Sequence, residues 1–214
     1  MQTTYSTAEK SFRIIAFLFS SIVLITQFVL MMQGAAESGE MFIRLVRFFS
    51  FMTILTNIIV ALAYILPLIA SSSKARKLFA TPNAQCAVCM YIVMVCVGYH
   101  FMLSKLYTLV GLQYYVDRGL HYVVPVLYVL FYLLFVKKGT LVYRNIYKWL
   151  MFPFVYLVYV VVRGFITNDY PYPFLNFSKH EASKVFTSIA ILFAGYILMS
   201  LLIVLFDRIV SKKS

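Results

Sequence analysis

Charge is scarce in this sequence. Only 12% of its 214 residues are charged, against 63% that are apolar. Soluble domains usually carry about 25% charged and about 45–50% apolar residues. A small soluble core cannot hide that excess, because much of a small domain's surface stays exposed. An ordinary soluble enzyme, a disordered chain and a nucleic-acid-binding domain are therefore excluded. Acids are scarcer than bases: seven Asp and Glu face 19 Lys and Arg, for a net charge of +12. Cysteine is sparse as well. Cys86, Cys89 and Cys96 share one apolar stretch. Cys86 and Cys89 are spaced C-x-x-C, but no second pair or nearby His completes a metal set. They read as small core residues, and no metal or other cofactor is expected. There is no GxxxG dimer motif, which leaves the oligomeric state open.

Long apolar runs are what the chain does have, and its mean hydropathy is +0.88. A membrane-spanning helix needs about 20 mostly apolar residues. Six runs qualify, at about 12–32, 42–68, 84–104, 120–136, 147–165 and 185–209. The first is too long for the core of a cleaved signal peptide. Polar breaks separate the runs at 33–40, 71–83, 105–119, 137–144 and 167–184. No repeat or long linker interrupts them, so residues 1–214 read as a single six-span membrane domain. The expected fold is an all-α integral membrane protein, a six-transmembrane-helix bundle. Spanning backbone must satisfy its own hydrogen bonds, and the runs lack the alternation of barrel strands.

The net charge reports orientation. One side of the bundle would hold Lys10, Arg13, Lys74, Arg76, Lys77, Lys137, Lys138, Arg144, Lys148, Arg208, Lys212 and Lys213, with Glu9 and Asp207 as its acids. The other would hold Arg44, Arg47, Lys105, Arg118, Arg163, Lys179 and Lys184, with five acids. The two sides therefore carry net charges of +10 and +2. Basic loops stay cytoplasmic, so both termini are expected inside.

The few polar residues within the runs are not scattered. On a continuous second helix, Ser50, Thr53, Asn57 and Tyr64 would share about 60° of arc, with Thr53 about 9 Å deeper than Arg47. Such a stripe commonly serves helix–helix hydrogen bonding. It also puts a hydroxyl nucleophile below the outer interface. His121, Pro125, Tyr128 and Tyr132 share a face of the fourth run by the same arithmetic. A neutral imidazole there can accept a hydroxyl proton. His100 is a rival partner for Thr53, and His180 falls in a charged loop. Asp117 can reach His121 only if the fourth helix begins early. Residues 170–176 read Tyr-Pro-Tyr-Pro-Phe-Leu-Asn. Two prolines prevent a regular helix there, and the aromatics suit a membrane interface or a rigid lid over a cavity.

These pieces together resemble a known family. Phe51-Met52-Thr53, His121 four residues before Pro125, and Tyr172-Pro173-Phe174-Leu175 before the last span occur in that order. The chain resembles the androgen-induced multi-span membrane hydrolases, which cleave fatty-acid esters of hydroxy fatty acids. It is also similar to the bacterial six-span proteins labelled "Pr-six-Pr". That resemblance implies a threonine nucleophile at Thr53 and a histidine base at His121. Asn57 and Ser50 would then be supporting groups, with Asn57 as oxyanion donor. Tyr172, Pro173, Phe174 and Tyr128 would line the pocket or its lid. Two positions that tend to be acidic in the family hold Leu130 or Phe131 and Asn176 here. The implied partners are membrane lipids and a lipid-ester substrate, with no nucleic acid, in a bacterial cytoplasmic membrane. A non-catalytic lipid-binding member of the same fold and a small-solute transporter are the alternatives. A transporter would want charged or broken helices near the midplane.

Overall fold

The computed structural model describes residues 5–69, 73–106 and 108–211. Ser71 and the tail lysines Lys212 and Lys213 fall outside them. Among the described residues there is no strand. The helices run α1 (Thr7–Met32), α2 (Met41–Phe48), α3 (Met52–Ile69), α4 (Lys74–Phe79), α5 (Pro82–Gly98), α6 (Gly111–Arg118), α7 (Val124–Phe135), α8 (Ile146–Thr167) and α9 (Ala182–Ser211). A π-turn at Tyr99–Leu103 extends α5, and another at Gly119–Val123 joins α6 to α7. Six helices or joined helices are long and apolar enough to cross a membrane. The described residues thus form the expected all-α bundle, with six helices of spanning length and hydropathy.

Helix starts follow from short polar side chains. Ser6 Oγ accepts the Glu9 N–H at 3.1 Å, and Thr81 Oγ1 accepts the Ala84 N–H at 3.2 Å ahead of Pro82. Each occupies one of the donors a helix start leaves free.

Two prolines sit inside spanning helices, and each frees the carbonyl four residues earlier. Pro67 frees the Ala63 carbonyl, which accepts Arg13 Nη1 at 3.0 Å and Gln85 Nε2 at 3.3 Å. Pro153 frees the Trp149 carbonyl, which accepts the Tyr91 hydroxyl at 2.8 Å. Each proline thus ties its helix to a neighbour. Arg13 is held further by Glu9 at 2.9 Å and lies 4.3 Å from the Phe131 ring centroid. Near the end of α9, the fully buried Asp207 accepts the Leu141 N–H at 2.9 Å and anchors the loop before α8.

Two span boundaries differ from expectation. The second run is not one helix: it breaks at residues 49–51 between α2 and α3. The single-helix arc that grouped Ser50 with Thr53, and the depth reckoned from Arg47, therefore do not apply. The fourth span begins at Gly111 rather than near residue 120. Tyr114, Tyr115 and Val116 supply enough apolar surface to extend the helix through a stretch whose Gln113, Asp117 and Arg118 look like loop.

The proline-freed carbonyls yield a test. Tyr91→Phe should cost about 1 kcal/mol, the usual net worth of one hydrogen bond. In a Pro153→Ala background the Trp149 carbonyl regains a helical donor, so the same substitution should cost much less. Thermal unfolding of the four proteins in detergent, treated as a double-mutant cycle, measures the coupling.

Candidate active site

The break before α3 decides where Thr53 sits. Residues 49–51 leave the helical path, and the Tyr156 hydroxyl of α8 spans the gap. It accepts the Met52 N–H at 3.1 Å and donates to the Ser50 carbonyl at 2.9 Å. Ser50 Oγ donates to the Val46 carbonyl at 2.7 Å and shares a hydrogen bond with Tyr159 at 2.8 Å. Ser50 is thus fully buried support for the break. Thr53 becomes the second residue of α3, at the end where backbone N–H groups point outward and the helix dipole favours negative charge.

His121 comes to it from the π-turn between α6 and α7. Thr53 Oγ1 and His121 Nε2 are 3.2 Å apart. On the far side of the ring, His121 Nδ1 lies 3.1 Å from Asp117 Oδ1 and 3.0 Å from the Asp117 carbonyl. Both are acceptors when the carboxyl is ionised, so Nδ1 carries the proton and Nε2 is left to accept from the Thr53 hydroxyl. The early start of α6 is what puts Asp117 one turn before the histidine.

Tyr99 completes the group from the π-turn that ends α5. Its hydroxyl donates to Asp117 Oδ2 at 2.5 Å. Its ring stacks on His121 at 3.8 Å between centroids and 14° between planes. Both key rings therefore come from π-turns, a helical irregularity frequent at functional sites. Thr53, His121 and Asp117 are all buried.

Tyr172 approaches from the loop before α9. Its hydroxyl accepts the Thr53 N–H at 3.5 Å, and the Thr53 and Tyr156 hydroxyls lie beside it. Burial pushes its phenol above the ordinary value, which keeps it a neutral O–H donor. The loop is fixed where it leaves α8. Arg163 grips the Asp169 carbonyl and carboxylate at 2.6 Å each. Tyr170 packs so closely on Gly164 that any side chain there would collide with its ring. Pro173 starts the short turn that directs Phe174 and Leu175 inward.

Two cavities meet at this group. The larger, about 650 Å³, is the more polar of the two: Gln27, Glu40, Arg44, Arg47 and Gln113 line it beside apolar Met31, Ile43, Phe48 and Ile54, with Asp117, His121, Thr53 and Tyr172 also in its wall. The smaller, about 80 Å³, is an apolar cleft between α5, α8 and α9, lined by Met94, Leu157, Phe174, Leu192 and Phe193 among others. Thr53, Tyr99, Leu103 and Tyr172 belong to both. In the larger cavity, Arg44 bonds Glu40 at 2.8 Å and holds its carboxyl below the usual carboxylate range.

The structure brings Thr53, His121, Tyr172 and Phe174 together, and it separates the others. Asn57 donates its amide to the Thr53 carbonyl at 2.8 Å and to the Leu120 carbonyl at 3.4 Å, tying α3 to the π-turn that carries His121. Its donors are therefore occupied, and its place is behind the histidine turn. Tyr128 is fully buried against Tyr64 and Phe131 and donates to Gln85 Oε1, so it is a core residue. His100 pairs with Tyr122 at 3.2 Å instead of with Thr53. Asn176 caps its own loop, accepting the Ser178 N–H at 2.9 Å. Phe131 is core and Leu130 is exposed on the bundle surface, so neither position faces the histidine. Sequence reasoning missed Tyr99 and Tyr156; the signal for both would have been a tyrosine on an apolar span, and this chain has 17 tyrosines.

No family model matches the chain, and no curated protein or solved structure matches it.

The stacked geometry has a spectroscopic signature. The Tyr99 ring should shift the His121 ring protons upfield. Tyr99→Leu should move them back downfield, whereas Tyr122→Leu should leave them nearly in place. Proton–carbon correlation spectra of histidine-labelled protein read the difference.

Proposed function

We propose that this chain is an intramembrane threonine hydrolase of lipid esters, of the fatty-acid ester of hydroxy fatty acid type. The observation that carries the reading is the ordered contact Thr53 Oγ1, His121 Nε2, His121 Nδ1, Asp117 Oδ1, with steps of 3.2 and 3.1 Å. A threonine hydroxyl is a weak nucleophile until a base takes its proton. His121 takes it as Thr53 Oγ1 attacks the ester carbonyl. Asp117 keeps the imidazole in the useful tautomer and stabilises the imidazolium that forms. The oxyanion grows at the positive end of α3, beside the neutral Tyr172 hydroxyl, which donates to it.

Collapse breaks the bond to the alcohol oxygen, and His121 returns the proton to the departing alcohol. A water then gives a proton to His121 and attacks the acyl carbon. The acid leaves, and Thr53 regains its hydrogen.

The charge imbalance supports a topology with both termini cytoplasmic, and the resemblance to the bacterial six-span proteins supports a bacterial cytoplasmic membrane. α3 ends at Ile69, so Thr53 lies about 24 Å from its far end. That covers most of the roughly 30 Å hydrocarbon core and puts the site near the outer interface. The break in the second span lies near that interface rather than at the midplane. This position favours hydrolysis over transport, which uses breaks at mid-membrane.

The test is covalent. A fluorophosphonate probe should label Thr53 of the purified protein, and His121→Ala should abolish labelling. Thr53→Ala should abolish ester cleavage with the unfolding temperature retained, and Asp117→Asn should lower the rate about 10²–10⁴-fold. Cleavage by Thr53→Ala at the wild-type rate would refute the assignment. Absent labelling and turnover, with lipid still bound, would identify a non-catalytic lipid-binding protein.

A further inference from the structure

We infer that the two cavities divide the ester between them: the acyl chain enters the apolar cleft between α5, α8 and α9, and the alcohol half occupies the polar cavity. The inference rests on the hydrolase reading for its chemistry and on the cavity walls for its geometry. The nucleophile belongs to both cavities, so an ester carbonyl held at Thr53 has one substituent to place on each side.

The walls differ in kind. Away from Thr53 the cleft is walled by Met94, Leu157, Leu192 and Phe193, with the hydroxyls of Tyr196 and of Tyr156, already engaged at the α3 break, so a polar alcohol half would lose most of its water there without replacement. A hydrocarbon chain loses nothing. Leu192 and Phe193 are only half-buried, on a helix whose neighbours Ile191 and Ile197 face outward. The cleft holds about 80 Å³, too little for a whole long chain, so its distal carbons run out between the helices into the bilayer.

The polar cavity suits the other half. It is in the usual size range of small-molecule sites, about 300–1,000 Å³. Its cation Arg47 is half-exposed and has Asp169 as its nearest carboxylate, at 3.9 Å. That carboxylate is already bound by Arg163 at 2.6 Å. Two arginines thus share one acid, and Arg47 remains available to a polar or anionic group. The orientation also settles the second half of the reaction. Once the alcohol departs, the polar cavity admits the hydrolytic water while the acyl group stays in the apolar cleft.

Gly98 makes the division testable. It lines the cleft, and a side chain added there meets nothing within 4 Å. Gly98→Leu therefore fills the cleft without a clash at its first carbon, and a helical Gly→Leu change does not weaken the helix. With hexadecanoyl and acetyl esters of one fluorogenic alcohol, the wild-type protein should prefer the hexadecanoyl ester. Gly98→Leu should lower that ratio about tenfold or more, within the range that pocket shape can impose. An unchanged ratio would overturn the inference.

A second measurement is independent of turnover. Hexadecanoic acid with a diazirine close to its carboxyl end is photolysed with the Thr53→Ala protein in nanodiscs. Labels should fall on α5, α8 or α9, be competed by hexadecanoic acid, and fade with Gly98→Leu. Labels on the α1 and α2 walls of the polar cavity would reverse the orientation and overturn it. Cleft labelling in a protein that cleaves no ester would uphold the acyl subsite and sink the hydrolase reading instead.

Discussion

Backbone polar groups with no water nearby must find partners inside the protein, and the rest of this bundle is arranged around that constraint. An unbroken helix meets it alone. At three of the irregularities among the described residues the constraint is met by a side chain from a neighbour. Arg13 and Gln85 take the carbonyl freed by Pro67, Tyr91 takes the one freed by Pro153, and Tyr156 bridges the gap before Met52. An unpaired buried backbone group costs about 1–3 kcal/mol. The residues that repair each irregularity therefore also decide which helices stand side by side.

The third of these repairs creates the site. A continuous helix from α2 through α3 would have kept the Thr53 N–H in its own ladder. The break exposes it to Tyr172 and sets the hydroxyl at the positive end of a helix dipole. The Tyr156 hydroxyl holds the break open from α8, and Asn57 fixes the facing π-turn from below. Separate stretches of chain thus converge on one threonine, and three of them are held by side chains that do no chemistry: Tyr156 at the break, Asn57 at the histidine turn and Arg163 at the Tyr172 loop.

The all-helical fold and its six long apolar helices were legible in the sequence because length and hydropathy are summed over many residues and tolerate local error. Thr53, His121 and Tyr172 were legible because each lies among apolar neighbours that give it no other use. Ser50 was grouped with Thr53 for one physical reason, while Asn57 keeps its place one turn below Thr53 in α3. Angular arithmetic assumes a continuous helix, and nothing in Arg-Phe-Phe-Ser-Phe-Met-Thr announces a break, since its cause is the distant Tyr156. Asp117 was in view but stranded in an apparent loop, because helix continuation from Gly111 depends on packing against α1. Tyr128 shows the opposite failure: it shares a face with His121, but that face turns into the core further along α7.

The histidine–aspartate pair explains why Tyr99 is placed where it is. A carboxylate in an apolar bundle is costly unless its lone pairs are taken up. Asp117 Oδ1 faces His121, and without Tyr99 its second oxygen would lose its hydroxyl donor. The Tyr99 hydroxyl occupies that oxygen, and the ring above it covers the imidazole face. One side chain thereby satisfies the acid and restricts the base to the plane in which Nε2 meets Thr53. Low local dielectric strengthens each of these contacts relative to water. A threonine, a histidine and an aspartate can therefore stay buried together in this apolar bundle because a fourth, aromatic residue satisfies the acid and covers one face of the base.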